Sequence, residues 1–451
     1  MARGGDLYVG GGRLFRRGRE ERADLLVEGG RIVRIGSFPP PKGVEVLDAS
    51  GLLVLPGGID NHVHFREPGL AEKEGYHSGT RGALHGGVTC VLEIQNNPPL
   101  LLDGASCRAK DALVGPKAWT DYGFYGNLVP DSVDRLEEMK PWCAALKLFA
   151  GGTTGMAAAG DYGSIRRLLG AAARAGFLTA AHCEDPGILA AAPPAEGLEA
   201  RDQGLLVRPP VAEWVSVAAL LELVRETGAE LHVFHVSTER GAELVAAARE
   251  EGLPVTASTC PHYLYFEAGD AGRLGNLLKV NPGIHGPRER EALRKALAAG
   301  RVQVWSTDHA PHFREEKERP YGEAPSGIPS VDLFWPLLLE LVHRGVLDLE
   351  RAVEAASAAP ARIHGLSGKG ALEEGMEGDL VLVAWEEKRP VRAEELPSRA
   401  AYSPYEGMEL RGWPQVTVLR GRRVFSRDGR GRPCFHGEPA GRRVARKEAR
   451  K

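Results

Sequence analysis

The sequence predicts a TIM-type (β/α)8 barrel joined to a small β domain that both chain ends build. Three observations carry this. Between about residues 60 and 347, strand-like runs alternate with Ala/Leu/Arg/Glu-rich helical windows, the mark of repeated βα units. Histidine, lysine and aspartate stand where several of those runs stop, which is where a barrel gathers its site. Short β-rich runs also fill the first fifty-five residues and return near the C-terminus. Neither group can bury a good core by itself, so the two are expected to pair.

In chain order, the first part (1–55) carries β runs at 6–9, 23–27, 32–35 and 52–55, set apart by Gly-Gly and Pro-rich turns. The barrel (56–365) follows, with strands expected at 88–94, 145–149, 178–182, 230–236, 255–259 and 302–307. Helices at 164–175, 217–227, 241–251 and 288–299 repeat apolar residues at three- and four-residue steps and should cover its outside. The Ala/Pro segment 190–194 reads as a loop. β runs at 379–383, 416–419 and 423–425 place the returning half of the small domain at 366–435, and 436–451 forms a basic tail.

At 451 residues the chain can hold a barrel of about 250 residues or more and an accessory domain. Its 43% hydrophobic and 26% charged residues are those of an ordinary soluble globular protein. No run approaches the eighteen or so apolar residues of a membrane span, and no secretory h-region follows Met1, so no membrane role and a cytoplasmic location are expected. The six cysteines lack C-x-x-C spacing and read as buried thiols. A net charge of −3 offers no broad positive field for nucleic acid, and the tail from Arg442 to Lys451 reads as a frayed, solubilising end.

The chemistry concentrates in five places. His62 and His64, in Asp60-Asn61-His62-Val63-His64, share one face of a strand because side chains alternate with period two, so both imidazoles can approach one ion. Alone, that pair could equally be two histidines bonded to backbone carbonyls. Lys147 lies among apolar residues in Ala145-Leu146-Lys147-Leu148-Phe149, where an ammonium must snorkel, pair or change chemical state. His182 and His235 end further β-like runs, and His232, an odd number of positions from His235, should face the other way and serve a structural role. Asp308, in Thr307-Asp308-His309-Ala310-Pro311-His312, could ligate an ion and take a proton from activated water; a helix cap or Asx turn is its other use. Six candidates spread over five strand ends are hard to explain as independent structural accidents.

At these residues the chain resembles the amidohydrolase superfamily and, within it, the dihydroorotases of pyrimidine biosynthesis, over about residues 53–383. The resemblance implies two divalent metal ions, with zinc the expected pair, held by His62, His64, His182, His235 and Asp308 and bridged by a carboxylated Lys147. It implies reversible hydrolysis of (S)-dihydroorotate to N-carbamoyl-L-aspartate by a hydroxide shared between the ions, with Asp308 as general base and acid. The run His62-Val63-His64-Phe65-Arg66-Glu67-Pro68-Gly69 makes Arg66 the holder of the substrate carboxylate, and Asn96, Asn281 and His312 match other substrate residues.

The chain departs from the pattern at Ile94-Gln95-Asn96-Asn97-Pro98-Pro99, at Asn281-Pro282-Gly283-Ile284-His285, which loses a proline and an arginine, and at Pro261-His262-Tyr263-Leu264. Those changes alter the pocket wall and keep a hydantoinase or allantoinase as the alternative. Retention of Arg66 argues against uncharged rings, since a buried guanidinium without an anion is costly. A noncatalytic scaffold homologue is the alternative of another class; loss of metal ligands would mark it, and none is lost. Homodimer and homotetramer both stay open.

Overall fold

The computed structural model describes residues 5–194 and 197–446. Eight strands form a sequential parallel sheet: β1 (Gly58–Val63), β2 (Val88–Ile94), β3 (Asp121–Asn127), β4 (Cys143–Phe149), β5 (Leu178–His182), β6 (Glu230–Val233), β7 (Val255–Thr259) and β8 (Val304–Trp305). A parallel bridge from Val63 to His309 brings the last segment against the first and closes the barrel. Buried on both faces, these strands read as near-continuous apolar runs rather than alternating ones, as in Val88-Thr89-Cys90-Val91-Leu92-Glu93-Ile94.

Helices pack around the outside, and local chemistry sets their ends. Tyr162–Arg174 starts where the Asp161 side chain accepts the Ser164 N–H at 2.7 Å, and Glu239–Glu250 starts where Thr238 Oγ1 accepts from Gly241 N at 3.0 Å. Pro210–Thr227 stops at Gly228, whose φ of 68° suits a residue without Cβ. The first two lie within two residues of their expected windows at each end, whereas the third starts seven residues before its window and ends with it.

The chain ends do build one β domain. Leu53–Pro56 pairs antiparallel with Leu380–Pro390, register Leu380 to Pro56, inside a seven-stranded sheet that combines both ends. A second, four-stranded sheet comes from residues 7–48 alone. Leu7, Leu25, Val54, Leu380 and Val418 share the core between them. Sequence periodicity missed β3, whose Asp-Tyr-Gly-Phe-Tyr-Gly-Asn run is rich in glycine, and the charged hairpin Arg13–Arg16 with Arg19–Arg22.

The tail differs from its expectation. Residues 441–446 are not frayed: Tyr122 N donates to Arg442 O at 3.0 Å and Val444 N to Tyr122 O at 2.7 Å, so the segment lies beside β3. Arg443 pairs with Asp111 at 3.1 Å and Arg446 with Glu230 at 2.5 Å. Basic residues here find acidic partners on the barrel; 447–451 lie outside the described residues. Nearby, Lys369 Nζ reaches Asp121, Glu377 and Asp379 at 2.7, 2.6 and 2.6 Å, and Arg420 also pairs with Asp121. This buried cluster ties the barrel to the β domain. Its three acids stand close enough together to hold a metal ion, but the Lys369 ammonium fills their centre.

All six cysteines are free thiols, five of them buried and Cys434 half-buried. Among the described residues, no single helix is long and apolar enough to cross a membrane; one bent pair, 200–207 with 210–227, passes by length and composition alone.

Candidate metal centre

His62, His64, Lys147, His182, His235 and Asp308, from five different strand ends, all line one buried cavity. His62 Nε2 lies 3.2 Å from His64 Nε2, and Asp308 Oδ1 lies 3.1 and 3.3 Å from those two nitrogens. Opposite them, His182 Nδ1 lies 3.1 Å from His235 Nε2. Ligand atoms of His62, His235 and Asp308 fall within 4.8 Å of one another, so the two halves form one group.

The partners of the outer ring nitrogens orient this donor set. His64 Nδ1 lies 3.0 Å from the Ile94 carbonyl oxygen, which can only accept; Nδ1 therefore carries the proton and Nε2 turns a bare lone pair inward. His182 Nε2 lies 2.8 Å from Glu184 Oε2, which leaves Nδ1 to face His235. Burial holds the imidazoles of His62, His64, His182 and His235 below their ordinary pKa, and Lys147 pushes in the same direction. Neutral imidazole lone pairs and a carboxylate aimed at one small space are what a divalent cation requires.

Lys147 is buried, with Nζ 4.3 Å from the Phe234 ring centre and 4.8 Å from that of Phe149. Burial pulls its amine down to about 7, against the opposing pull of Asp308. A neutral amine is the form that can add carbon dioxide.

Backbone strain concentrates here. Arg66, His235 and Asp308 adopt φ values of 64°, 39° and 49°, a left-handed region that costs non-glycine residues about 1–3 kcal/mol each. The strands end before these residues, so their side chains reach the cavity by a turn of the chain. Strand alternation was the reason for preferring His235 over His232. His232 does take a structural place below the metal layer, with Nδ1 2.8 Å from Thr256 Oγ1 and Nε2 accepting from Asn61 Nδ2 at 3.3 Å. Asp60 accepts from Thr307 N at 3.1 Å and so braces the turn that presents Asp308.

Beside these candidate donors, Arg66 Nη1 donates to Asn96 Oδ1 at 2.7 Å, and Nη2 lies 3.2 Å from His312 Nε2. Neither partner carries a formal negative charge, and Arg66 Nε is buried with no partner. Burial lowers this guanidinium to about 10. Asn281 lines the same cavity, but its amide is engaged: Nδ2 donates to Thr153 Oγ1 at 3.1 Å and Oδ1 accepts from Gln203 at 3.2 Å.

Thr153 and Thr154, outside every expected site, line the cavity. Asn96 Nδ2 donates to Thr154 O at 3.3 Å, Ser326 N to Thr154 Oγ1 at 3.3 Å, and Arg208 Nη2 to Gly152 O at 2.9 Å. A side chain at Gly155, where φ is 81°, would collide with the Asn96 carbonyl. About 30 Å³ of free space is left at the donors, room for a water. Thr153, Thr154, Asn281 and Ser326 separate it from an outer cavity of about 460 Å³. Glu184, which holds both His182 and Arg208, was also missed by sequence reasoning. It stands two positions past a strand-end histidine, the signal that could have found it.

The sequence pattern of the Amidohydrolase family matches residues 53–424. Over 434 residues the chain is 40% identical to the allantoinase of Rubrobacter xylanophilus, covering 93% of this chain and 94% of that protein. It is 36% identical over 421 residues to the dihydroorotase of Pelotomaculum thermopropionicum, covering 90% and 95%. Among solved structures, the L-hydantoinase (dihydropyrimidinase) of Arthrobacter aurescens superposes with a TM-score of 0.92 at 27% identity, covering 98% of this chain and all of that one. The D-hydantoinase (dihydropyrimidinase) of a Thermus species gives 0.87 at 26% identity, covering 98% and 99%. With its barrel, its buried histidine and aspartate cluster and a family match over most of its length, this chain belongs to the amidohydrolase family.

Proposed function

We propose that this chain hydrolyses the ring amide of a cyclic substrate bearing a carboxylate, (S)-dihydroorotate, reversibly to N-carbamoyl-L-aspartate, a step of pyrimidine biosynthesis. One observation carries the choice of substrate. Arg66 is buried beside the metal donors, yet its hydrogen bond goes to a neutral amide and its Nε has no partner. A substrate carboxylate would supply the missing anion, which a guanidinium fork can hold through two parallel hydrogen bonds.

In this reading His62, His64, His182, His235, Asp308 and a carbamylated Lys147 would hold two divalent ions, zinc by preference. Bound there, they supply Lewis-acid polarisation of the amide carbonyl and activation of water. Arg66 and Asn96 anchor the carboxylate so that the ring amide faces the donor set. Asp308 Oδ1, on the cavity side of His62 and His64, accepts the proton of the attacking water and returns it to the departing ring nitrogen. Thr153 and Thr154 line the boundary between this space and the outer cavity.

The 40% identity to a protein named allantoinase favours a second reading, hydrolysis of allantoin. That ring is uncharged and would leave Arg66 without an anion. Turnover of dihydroorotate, N-carbamoyl-L-aspartate, allantoin and hydantoin by the zinc-loaded enzyme separates the two. Dihydroorotate is expected to be the best substrate by at least about a hundredfold in kcat/KM, the scale of one charged pair. Faster turnover of allantoin or hydantoin would overturn the reading.

A further inference from the structure

The groups around the His312 imidazole leave it one protonation state. Lys73 Nζ lies 3.2 Å from Nδ1; an ammonium only donates, so Nδ1 must accept and carries no proton. Nε2 lies 3.1 Å from the Ser326 carbonyl oxygen, which only accepts, so Nε2 carries the proton. Arg66 Nη2, 3.2 Å from the same Nε2, is then a donor facing a donor. That approach is no hydrogen bond, and it leaves Arg66 Nη2 with a proton free for an anion.

Glu316 opposes this arrangement. Its Oε1 accepts from Lys73 Nζ at 2.7 Å and its Oε2 from Phe313 N at 3.0 Å, while Oε2 also stands 3.9 Å from His312 Nδ1. Lys73 engages both the carboxylate and the imidazole. Without it, Glu316 would face Nδ1 directly and favour a proton there, making an imidazolium held between Glu316 and the Ser326 carbonyl.

We propose that Lys73 is a positioning residue that keeps His312 Nδ1 unprotonated, so that the imidazole stays neutral, its single proton on Nε2 goes to the Ser326 carbonyl, and Arg66 Nη2 is left free for the substrate carboxylate. The charged groups facing His312 are Arg66 from the turn after β1, Lys73 from the segment before Tyr76–His85, and Glu316 and Lys317 from Arg314–Lys317. Burial, then Arg66, Lys317 and Lys73, hold the imidazole well below its ordinary pKa, in agreement with the geometry. The consequence is a cradle whose charge does not change through the neutral range, so the anion is bound equally well across it. That consequence rests on the carboxylate reading of Arg66; the protonation state of His312 does not.

The test is nitrogen-15 NMR of the zinc-loaded full chain with labelled histidine, His312 being assigned from the signal lost in His312→Asn. In wild type, Nδ1 should resonate as an unprotonated ring nitrogen from about pH 6 to 8, bracketing the pKa of a free imidazole. In Lys73→Met it should appear protonated at about pH 6, and in Lys73→Met/Glu316→Gln it should return to the unprotonated form. A protonated Nδ1 in wild type, or no difference between wild type and Lys73→Met, would overturn the proposal. In kinetics with dihydroorotate, KM of Lys73→Met should differ roughly tenfold between pH 6 and 8 with kcat nearly unchanged, while wild type stays flat. A pH-flat KM in Lys73→Met overturns the role in binding. If wild type does not turn over dihydroorotate at all, the substrate reading fails and the nitrogen shifts still decide the role of Lys73.

Discussion

Replacing Arg66 by methionine should lower activity and raise stability together. In the folded protein, burial pulls the guanidinium well below its ordinary value, to about 10, a penalty of about 3 kcal/mol that is present at every pH below that value. Methionine occupies the space without charge, and Asn96 Oδ1 loses one donor, a loss of about 1 kcal/mol. The net gain of about 2 kcal/mol, spread over the unfolding entropy of a chain this long, raises Tm by about 2 °C. Losing a buried charge pair to the substrate carboxylate costs about 2–5 kcal/mol of transition-state binding, so kcat/KM for dihydroorotate should fall by roughly thirtyfold or more. Thermal denaturation by circular dichroism, zinc content by elemental analysis and steady-state kinetics read the three quantities. The metal content should be unchanged, because Arg66 is not among the donors. A fall in kcat/KM below about tenfold, or a Tm lowered by more than about 3 °C, would refute the view of Arg66 as a strained cation awaiting an anion.

Wild type should carry about two equivalents of zinc after supplementation, as a site built for two ions requires; less than one equivalent would count against the donor set. Carbon-13 labelled carbon dioxide should give a carbamate NMR signal in metal-loaded wild type that is absent from Lys147→Met, and an unmodified lysine in active enzyme would contradict the bridge. Glu184→Gln leaves His182 Nε2 a weaker partner and should loosen the metal by about 10–100-fold in a chelator competition; unchanged affinity would show that Glu184 serves the Arg208 contact alone. Burial raises the Asp332 carboxyl from 3.8 to about 6. Its folded-state pKa lies above the unfolded value, so its contribution to stability is full below about pH 4 and is lost as pH rises through about 6. Asp332→Asn should therefore be more stable than wild type by about 2–3 kcal/mol at pH 8, with the difference gone near pH 3.5 in urea titrations; a pH-independent difference would refute the assignment.

Local pattern was enough to determine the barrel, the joined β domain and the metal donor candidates. Apolar runs buried on both faces, helical windows at three- and four-residue steps, and ionisable residues at strand ends are properties of short stretches of chain, and short stretches are what a sequence displays directly. His62, His64, Lys147, His182, His235 and Asp308 were legible for that reason, and all six line one cavity. Tertiary structure decided how they are presented. Arg66, His235 and Asp308 sit in left-handed backbone that no alternation rule anticipates, held there by contacts such as Asp60 with Thr307. Arg208 is known as a partner of Glu184 only once residues 24 positions apart have met, and Lys73 as a neighbour of His312 only once residues 239 positions apart lie 3.2 Å apart. The tail is the plainest case: a run of arginines reads as solvated until Asp111 and Glu230 are found beside it. Periodicity records which face of an element is apolar; the partner that meets a given charge is chosen by long-range packing, and no local pattern encodes it.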